Sequence, residues 1–433
     1  MYISTKAISF MLSASIAVFG LSGNVLASDG DEEKSSKKIV KILSVDGGGM
    51  RGILPLEILK EIEARTGKPI CEIFDVMGGT STGGLITLAL NVESHEKKTD
   101  GEKKKPKFTA SEISQLYCDK GCDIFGHENQ TWLGKGGVVK PRYTSEGLES
   151  LASELLGDTA LSSSLSNIVL TSYNVEEDMP LLFESHRARQ APHFDYLMRE
   201  VGVGTASAPT YFPAKTVRNF AGEASCVVDG GVIMNNPALT TLAVAQELFP
   251  DAEILFVSLG TGRVFQTLKA GDMKEAGLMT WAKPLAGIMT SCSTSVVDGQ
   301  MSRLLGHHAK DDLLPQHYFR FQPEIDKELE PMDDVRDSQI EALKLAARES
   351  VAANARMMDD LIACLRIAMP ELSKPQSQEM VSLGLSLSDL KESGKEKELP
   401  SFLSLMTKES DAQVNSSTEF PRVVMGIPFH SAA

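Results

Sequence analysis

The stretch VMGGTSTGGLITLALN, Val76 to Asn91, decides how the chain is read. It opens on β-like residues and closes on an apolar, helix-like run. Between them stands Ser81, with Gly79 and Gly83 two residues to either side. This is the G-x-S-x-G pattern of a serine held on a sharp strand-to-helix turn. The glycines have a steric reason: side chains there would collide with the neighbouring strand and helix. A serine just ahead of a helix also feels the partial positive charge of the helix N-terminus. The pentapeptide alone leaves open a glycine-rich loop carrying an idle serine. A serine hydroxyl is a weak nucleophile unless a base takes its proton, so the pattern raises the question of which residue that base is.

The segments around this turn alternate in character. IVKILSV (Ile39 to Val45) is the β-branched run of a buried parallel strand. DGGGMRG then turns the chain into ILPLEILKEIEARTG, whose Leu56, Leu59 and Ile62 share one helical face. Pro55 suits the first turn of that helix, Gly67 its C-cap, and Pro69 prevents its continuation. CEIFDVMGG (Cys71 to Gly79) reads as the next strand and TGGLITLALN as the next helix. Further strands are expected over Asn167 to Val175, Met179 to Ser185, Ala224 to Gly231 and Glu253 to Gly262. HFDYLMREVGVG and NPALTTLAVAQELF read as helices. Alternation with short loops argues for a three-layer α/β/α fold with a mainly parallel central sheet.

At 433 residues the chain has room for one large α/β domain with extra segments. Its net charge of −15 repels phosphate backbones, which argues against nucleic acid as a partner. Lys6 is the lone charge before Ser28; an apolar run follows from Ala7 to about Leu21, and VLA ends at Ala27. Residues 1–27 therefore read as a signal peptide for export to a periplasm or beyond, with an uncleaved anchor as the alternative. No later run of about 20 apolar residues follows, so no stable transmembrane segment is expected once the signal is removed. Residues 28–38 read as a flexible leader, 39–365 as the folded domain, and 366–433 as an extension without a core pattern.

The six cysteines are too few for a disulfide framework in a chain of this size. CDKGC, Cys118 to Cys122, would allow one small disulfide or two metal thiolates. No second pair at zinc-like spacing exists, so two cysteines on a half-buried helix is the preferred reading. The lysine-rich segment Ser94 to Lys107 reads as a solvated loop ahead of a contact for anionic headgroups.

The glycine loop Asp46 to Gly52 leaves a strand and enters a helix, so its backbone can approach a ligand closely and point N–H groups at it. It also satisfies G-x-G-x-x-G. A dinucleotide site, however, wants an acidic residue at the end of the second strand, and Met77, Gly78 and Gly79 stand there instead. An oxyanion site facing a serine is the better reading. Among the histidines only His307, His308, His317 and His430 come late enough to follow a late strand, and none sits in a turn at a clear strand end. Asp229, in CVVDGGVIMNNP, leaves a short buried strand and is followed by two glycines. A carboxylate within hydrogen-bond reach of Ser81 would serve as its base; an ordinary turn aspartate before Gly-Gly is the alternative.

GGGMRG, GTSTG and DGGVIMNNP, in that order, together with ASAPTYFP (Ala206 to Pro213) and SLGTG (Ser258 to Gly262), resemble the patatin-like acyl hydrolases over roughly Lys38 to Glu349. The joint pattern is far more specific than any single piece. The resemblance implies a Ser–Asp dyad without histidine, with Ser81 as nucleophile and Asp229 as base. It implies an oxyanion site from the backbone N–H groups of Gly47, Gly48 and Gly49, with Arg51 nearby. It implies a phospholipid or lysophospholipid ester at a membrane surface as substrate, and chemistry that needs no metal or organic cofactor. Met279, Trp281 and Leu285 in GLMTWAKPLAGIM are candidates for an acyl site or membrane contact, although a packed helix face is the safer reading. A non-lipid serine esterase and a catalytically idle storage or binding protein would share the same motifs.

Overall fold

The computed structural model describes residues 37–94, 104–131, 139–264, 271, 274, 276–306 and 312–373. The expected signal peptide, most of the leader, the centre of the lysine-rich segment and the chain beyond 373 lie outside the described residues. So do His95, His307, His308 and His430.

Five strands form a parallel core: β1 (Ile39–Val45), β2 (Val76–Thr80), β3 (Asn167–Asn174), β7 (Glu253–Leu259) and β8 (Tyr318–Phe321). Three more strands, β4 (Met179–Glu184), β5 (Lys215–Arg218) and β6 (Ala224–Asp229), pair antiparallel at one side. The order is β5-β6-β3-β2-β1-β7-β8, with β4 also on β3, so the sheet is mixed with a parallel centre.

Both faces of the sheet are covered, which is why β1 and β7 read as nearly continuous apolar runs. On one face Leu43, Met77, Leu170 and Val257 pack against Leu56, Leu59 and Ile62 of the helix Ile53–Thr66, Ile86 and Leu88 of the helix Thr82–Asn91, and Leu361 and Leu365 of the helix Ala355–Ala368. On the other face Val40, Ile42, Val169 and Phe256 meet Leu242 and Ala245 of the helix Ala238–Leu248 and Met301 of the helix Leu278–Leu305. This is the expected three-layer arrangement, with a parallel centre and antiparallel strands added at one side.

Several expectations are corrected in detail. The strand expected from Cys71 starts only at Val76, because Ile70–Ile73 close one helical turn behind Pro69. The helix expected from His193 starts at Met198. The Asp195 carboxylate accepts from the backbone N–H and hydroxyl of Ser162, at 3.0 and 2.6 Å, and so holds the preceding residues out of the helix. All six cysteines are free thiols, Cys118 and Cys122 included, and both lie on the helix Ala110–Phe125. The domain limit drawn after residue 365 falls inside the helix Ala355–Ala368, and Met369 beyond it is buried. Among the described residues, no helix is long and apolar enough to cross a membrane.

Candidate active site

Strand order places the chemistry. β1 and β2 are parallel neighbours with Val45 opposite Gly79, so the glycine loop and the Ser81 turn leave the sheet side by side. Thr80 pairs with Thr171 on β3, and the next β3 residue, Ser172, pairs with Asp229 on antiparallel β6. β3 therefore acts as a ruler that brings the end of β2 and the end of β6 together at the carboxyl edge of the parallel strands. That edge is where open α/β sheets hold their ligands.

Ser81 sits at φ 55°, ψ −124°, a region costly for a residue with a side chain, directly ahead of the helix Thr82–Asn91. Such strain costs about 1–3 kcal/mol and persists only where the surroundings enforce it. Here the surroundings are backbone. A Cβ on Gly79 would lie 2.4 Å from the Gly83 carbonyl oxygen, and one on Gly83 would lie 2.2 Å from that of Val45. The Ser81 N–H donates to Thr205 Oγ1 at 3.0 Å, and the Thr205 hydroxyl donates to the Thr171 carbonyl at 2.7 Å.

The Ser81 hydroxyl stands near enough to the Asp229 carboxylate to favour its charged form, and Asp229 Oδ1 accepts the Gly231 N–H at 2.6 Å. Asp229 is only 4% exposed. Burial pushes its carboxyl up to about 6, against the lowering effect of the Ser81 hydroxyl and the Gly231 N–H. The described histidines are not at this position. His317 precedes edge strand β8, three strands from β2 and toward the amino end of the parallel strands, where its Nδ1 bonds to the Ile254 carbonyl.

The glycine loop is tied down on three sides. The Gly47 carbonyl accepts from Thr261 Oγ1 at 2.5 Å and from Asn235 Nδ2 at 3.3 Å. The Gly47 N–H donates to the Asn235 carbonyl at 3.0 Å. This narrows the expected oxyanion set: the Gly47 N–H is committed elsewhere. Arg51 is also placed differently, since its Nε and its backbone N–H both donate to the Gly48 carbonyl, at 3.4 and 3.2 Å. It braces the loop from behind and is absent from the cavity wall. Among the described residues, the N–H groups of Gly48 and Gly49 have no acceptor, and both glycines face the cavity that holds Ser81. Gly49 has φ +59°, and a Cβ on it would lie 2.3 Å from the Met332 carbonyl oxygen.

Behind the loop lies a buried ion pair. Arg320 donates through Nη1 to Asp46 Oδ1 at 3.0 Å, through Nη2 to Asp46 Oδ2 at 2.6 Å, and through Nη1 to Ser258 Oγ at 2.7 Å. Burial opposes the Arg320 charge, but the carboxylate outweighs it and holds the guanidinium above its ordinary range. The residue that starts the glycine loop is thereby pinned to β7 and β8.

Ser81 and Asp229 open on a cavity of about 620 Å³, a size typical of small-molecule sites. Its wall is mostly apolar. Ile113 and Leu116 come from the helix Ala110–Phe125, and Leu148, Ala152 and Leu155 from the helix Glu146–Leu156. Lys120 and Asp229 are the charged side chains on it. The acyl site expected around Met279, Trp281 and Leu285 is not borne out for Trp281, which is not on the cavity wall; the side chains of Met279 and Leu285 lie outside the described residues. That helix adds Thr290 and Ser293 to the wall.

Residues missed from sequence include Thr205, Asn235, Thr261, Arg320 and Tyr117, whose hydroxyl meets that of Thr82 beside the nucleophile. Thr205 sits just before ASAPTYFP, while Asn235 and Thr261 lie inside DGGVIMNNP and SLGTG. Proximity to those blocks was the available signal for these three. Nothing local marks Arg320 or Tyr117.

Comparison with known proteins identifies relatives of the chain. Residues 43–242 match the model of the family described as Patatin-like phospholipase. Patatin-like protein 2 from Arabidopsis thaliana is 31% identical over 298 residues, covering 61% of this chain and 72% of that protein. Patatin group J-1 from Solanum tuberosum is 28% identical over 348 residues, covering 74% and 85% respectively. A relative named Probable inactive patatin-3-Kuras 1, also from Solanum tuberosum, is 29% identical over 291 residues, covering 61% and 74%.

Proposed function

This chain belongs to the patatin-like phospholipase family, and we propose that it is a phospholipase A-type enzyme that cleaves fatty-acyl esters through a Ser81–Asp229 dyad. The observation that carries this reading is that Ser81 and buried Asp229 stand together on the wall of a large apolar cavity. The family is one of lipid acyl hydrolases. Since one relative is named as inactive, intact and correctly placed side chains matter more here than membership.

Asp229 takes the Ser81 proton as Oγ attacks the ester carbonyl. Burial makes this carboxylate a stronger base than an exposed one, which suits proton transfer near neutral pH. The carbonyl oxygen gains negative charge and receives the Gly48 and Gly49 N–H groups; losing one such donor costs about 10²–10³ in rate. Protonated Asp229 then gives its proton to the departing alkoxide, leaving an acyl-Ser81 ester. Water loses a proton to Asp229 as it attacks that ester, and the Ser81 oxygen recovers this proton as the fatty acid leaves. The acyl chain occupies the cavity between the helices Ala110–Phe125 and Glu146–Leu156, where apolar burial favours it by about 0.8 kcal/mol per methylene. On the run Ala7 to Leu21 and the site at Ala27 we place the enzyme in an exported compartment, so that mature protein recovered from outside the cytoplasm would begin at Ser28.

The test is fatty-acid release from mixed phospholipid vesicles by the wild type, Ser81→Ala and Asp229→Asn. Release by the wild type alone, with both variants folded, is the expected result. A wild type silent on vesicles that cleaves a soluble short-chain ester through Ser81 would remove the phospholipid substrate and keep the dyad. Full activity in Asp229→Asn would remove Asp229 as base.

A further inference from the structure

Ser81 and Asp229 both stand where a strand gives out. Ser81 follows the last residue of β2, and Asp229 is itself the last residue of β6. The backbone N–H groups of both find acceptors on one short stretch, Thr205 to Ser207, where the helix Met198–Ala206 ends. The Ser81 N–H donates to Thr205 Oγ1 at 3.0 Å, and the Asp229 N–H donates to the Ser207 carbonyl at 3.0 Å. Nucleophile and base are far apart in sequence, yet two residues of one helix end hold them both.

That helix end is itself held. The Thr205 hydroxyl donates to the Thr171 carbonyl at 2.7 Å on β3, the strand that pairs with both β2 and β6. The Ser207 hydroxyl donates to the Val203 carbonyl at 2.7 Å. Thr205 and Ser207 are both buried. Packing around them is close. A Cβ on Gly204 would lie 2.9 Å from Val227 Cγ2 of β6, and one on Gly84 would lie 2.8 Å from Thr205 Cγ2. The threonine methyl thus rests against the helix Thr82–Asn91, while its hydroxyl meets the Ser81 N–H. Neither Thr205 nor Ser207 is on the cavity wall, so they act through the backbone of the dyad.

We infer that the end of this helix is a clamp that fixes the nucleophile against its base, with Thr205 as the positioning residue. The inference rests on the Ser81–Asp229 reading above. Both N–H groups are referenced to one rigid body, so Ser81 cannot shift relative to Asp229 without breaking a bond to it. Without the Thr205 hydroxyl, the Ser81 turn at φ 55° loses one of the contacts that enforce it. Misplacing a reacting group by about 1 Å costs about 10² in rate.

The test compares Thr205→Val, which removes the hydroxyl at nearly constant size, with Thr205→Ser, which keeps it. Both are assayed on p-nitrophenyl butyrate well below their melting temperatures. Thr205→Val should lower kcat about 10²-fold with KM unchanged. Thr205→Ser should keep a kcat close to wild type, despite a lower melting temperature from the gap its missing methyl leaves. The pH profile gives a second readout, which a merely structural role would not move. The Ser81 hydroxyl lowers the Asp229 carboxyl, so its withdrawal in Thr205→Val should shift the kcat/KM midpoint upward from about 6, while Thr205→Ser leaves it in place. Should Thr205→Val fail to fold, Thr205→Ala set against Thr205→Ser makes the same comparison without added bulk. The clamp is overturned by wild-type kcat in folded Thr205→Val, by equal losses in Thr205→Ala and Thr205→Ser, or by a lowered kcat with an unmoved midpoint. Turnover that survives Ser81→Ala would overturn the dyad reading, and the clamp with it.

Discussion

The nucleophile turn and the acyl cavity share Ser81 but are held by different physics. At the turn, backbone meets backbone. Gly79 faces the Gly83 carbonyl, Gly83 faces that of Val45, and Gly47 is bonded by Asn235 and Thr261. The contacts of Gly79 and Gly83 with carbonyl oxygens do not relax by a rotamer change, so those two positions tolerate almost no substitution. In the cavity, side chains of two helices border an open volume, and many combinations of Leu, Ile and Ala enclose the same space. Changes at the turn should therefore act on all substrates alike. Changes in the cavity should discriminate by chain length.

The largest effect belongs to the turn. Ser81→Ala should lower turnover of every ester about 10⁴–10⁶-fold with melting temperature preserved, as measured on short- and long-chain substrates together. Next comes the brace behind the glycine loop. Arg320→Met leaves Asp46 buried without its partner and should cost about 3–5 kcal/mol in denaturant unfolding. It should also lower kcat across all chain lengths, because the Gly48 and Gly49 donors lose their anchor.

A third effect concerns Asp229 itself. Its folded value, about 6, lies above that of the unfolded chain. The unfolded state therefore releases its proton first, and stability falls as pH rises from about 4 to about 6. Asp229→Asn removes this penalty. It should unfold up to about 3 kcal/mol later than wild type at pH 8, with the gap gone near pH 4 and activity lost throughout. A more stable inactive variant is what a functional strain at the turn requires.

The cavity supplies a smaller, selective effect. Ala152→Phe fills space on the wall and should lower kcat/KM for a palmitoyl ester about 10–200-fold relative to a butyryl ester, with the butyryl rate near wild type. Equal losses on both would dissolve the distinction between turn and cavity. Smallest is the pH effect on wild type: kcat/KM should fall about tenfold per pH unit below about 6 as Asp229 takes up a proton, and stay level above it.

The same difference governs what was legible from residues alone. The Ser81 turn, Asp229 and strands β1, β2, β3 and β7 were readable because backbone collisions and two-sided burial permit few residue types. Nothing in GGGMRG shows that the Gly47 N–H is taken by Asn235, 188 residues away, or that Arg51 turns back onto the Gly48 carbonyl. Arg320 lies 274 residues from Asp46 and belongs to the four-residue strand β8, too short for a periodic signal. The cavity helices carry ordinary amphipathic patterns. Only the fold reveals that Leu148 and Ala152 border a space shared with Ser81, while Trp281, more apolar to the eye, is not on that wall.

The most direct test of the central claim, that Asp229 itself activates Ser81, is the rate of covalent labelling by a fluorophosphonate ester. The Ser81 oxygen would displace fluoride from phosphorus, and peptide mass spectrometry would locate the adduct. The account predicts a single adduct on Ser81, a labelling rate that rises with pH up to about 6 and then levels, and loss of labelling in Asp229→Asn. Undiminished labelling of Asp229→Asn, or a rate that follows a histidine variant such as His317→Gln, would contradict it.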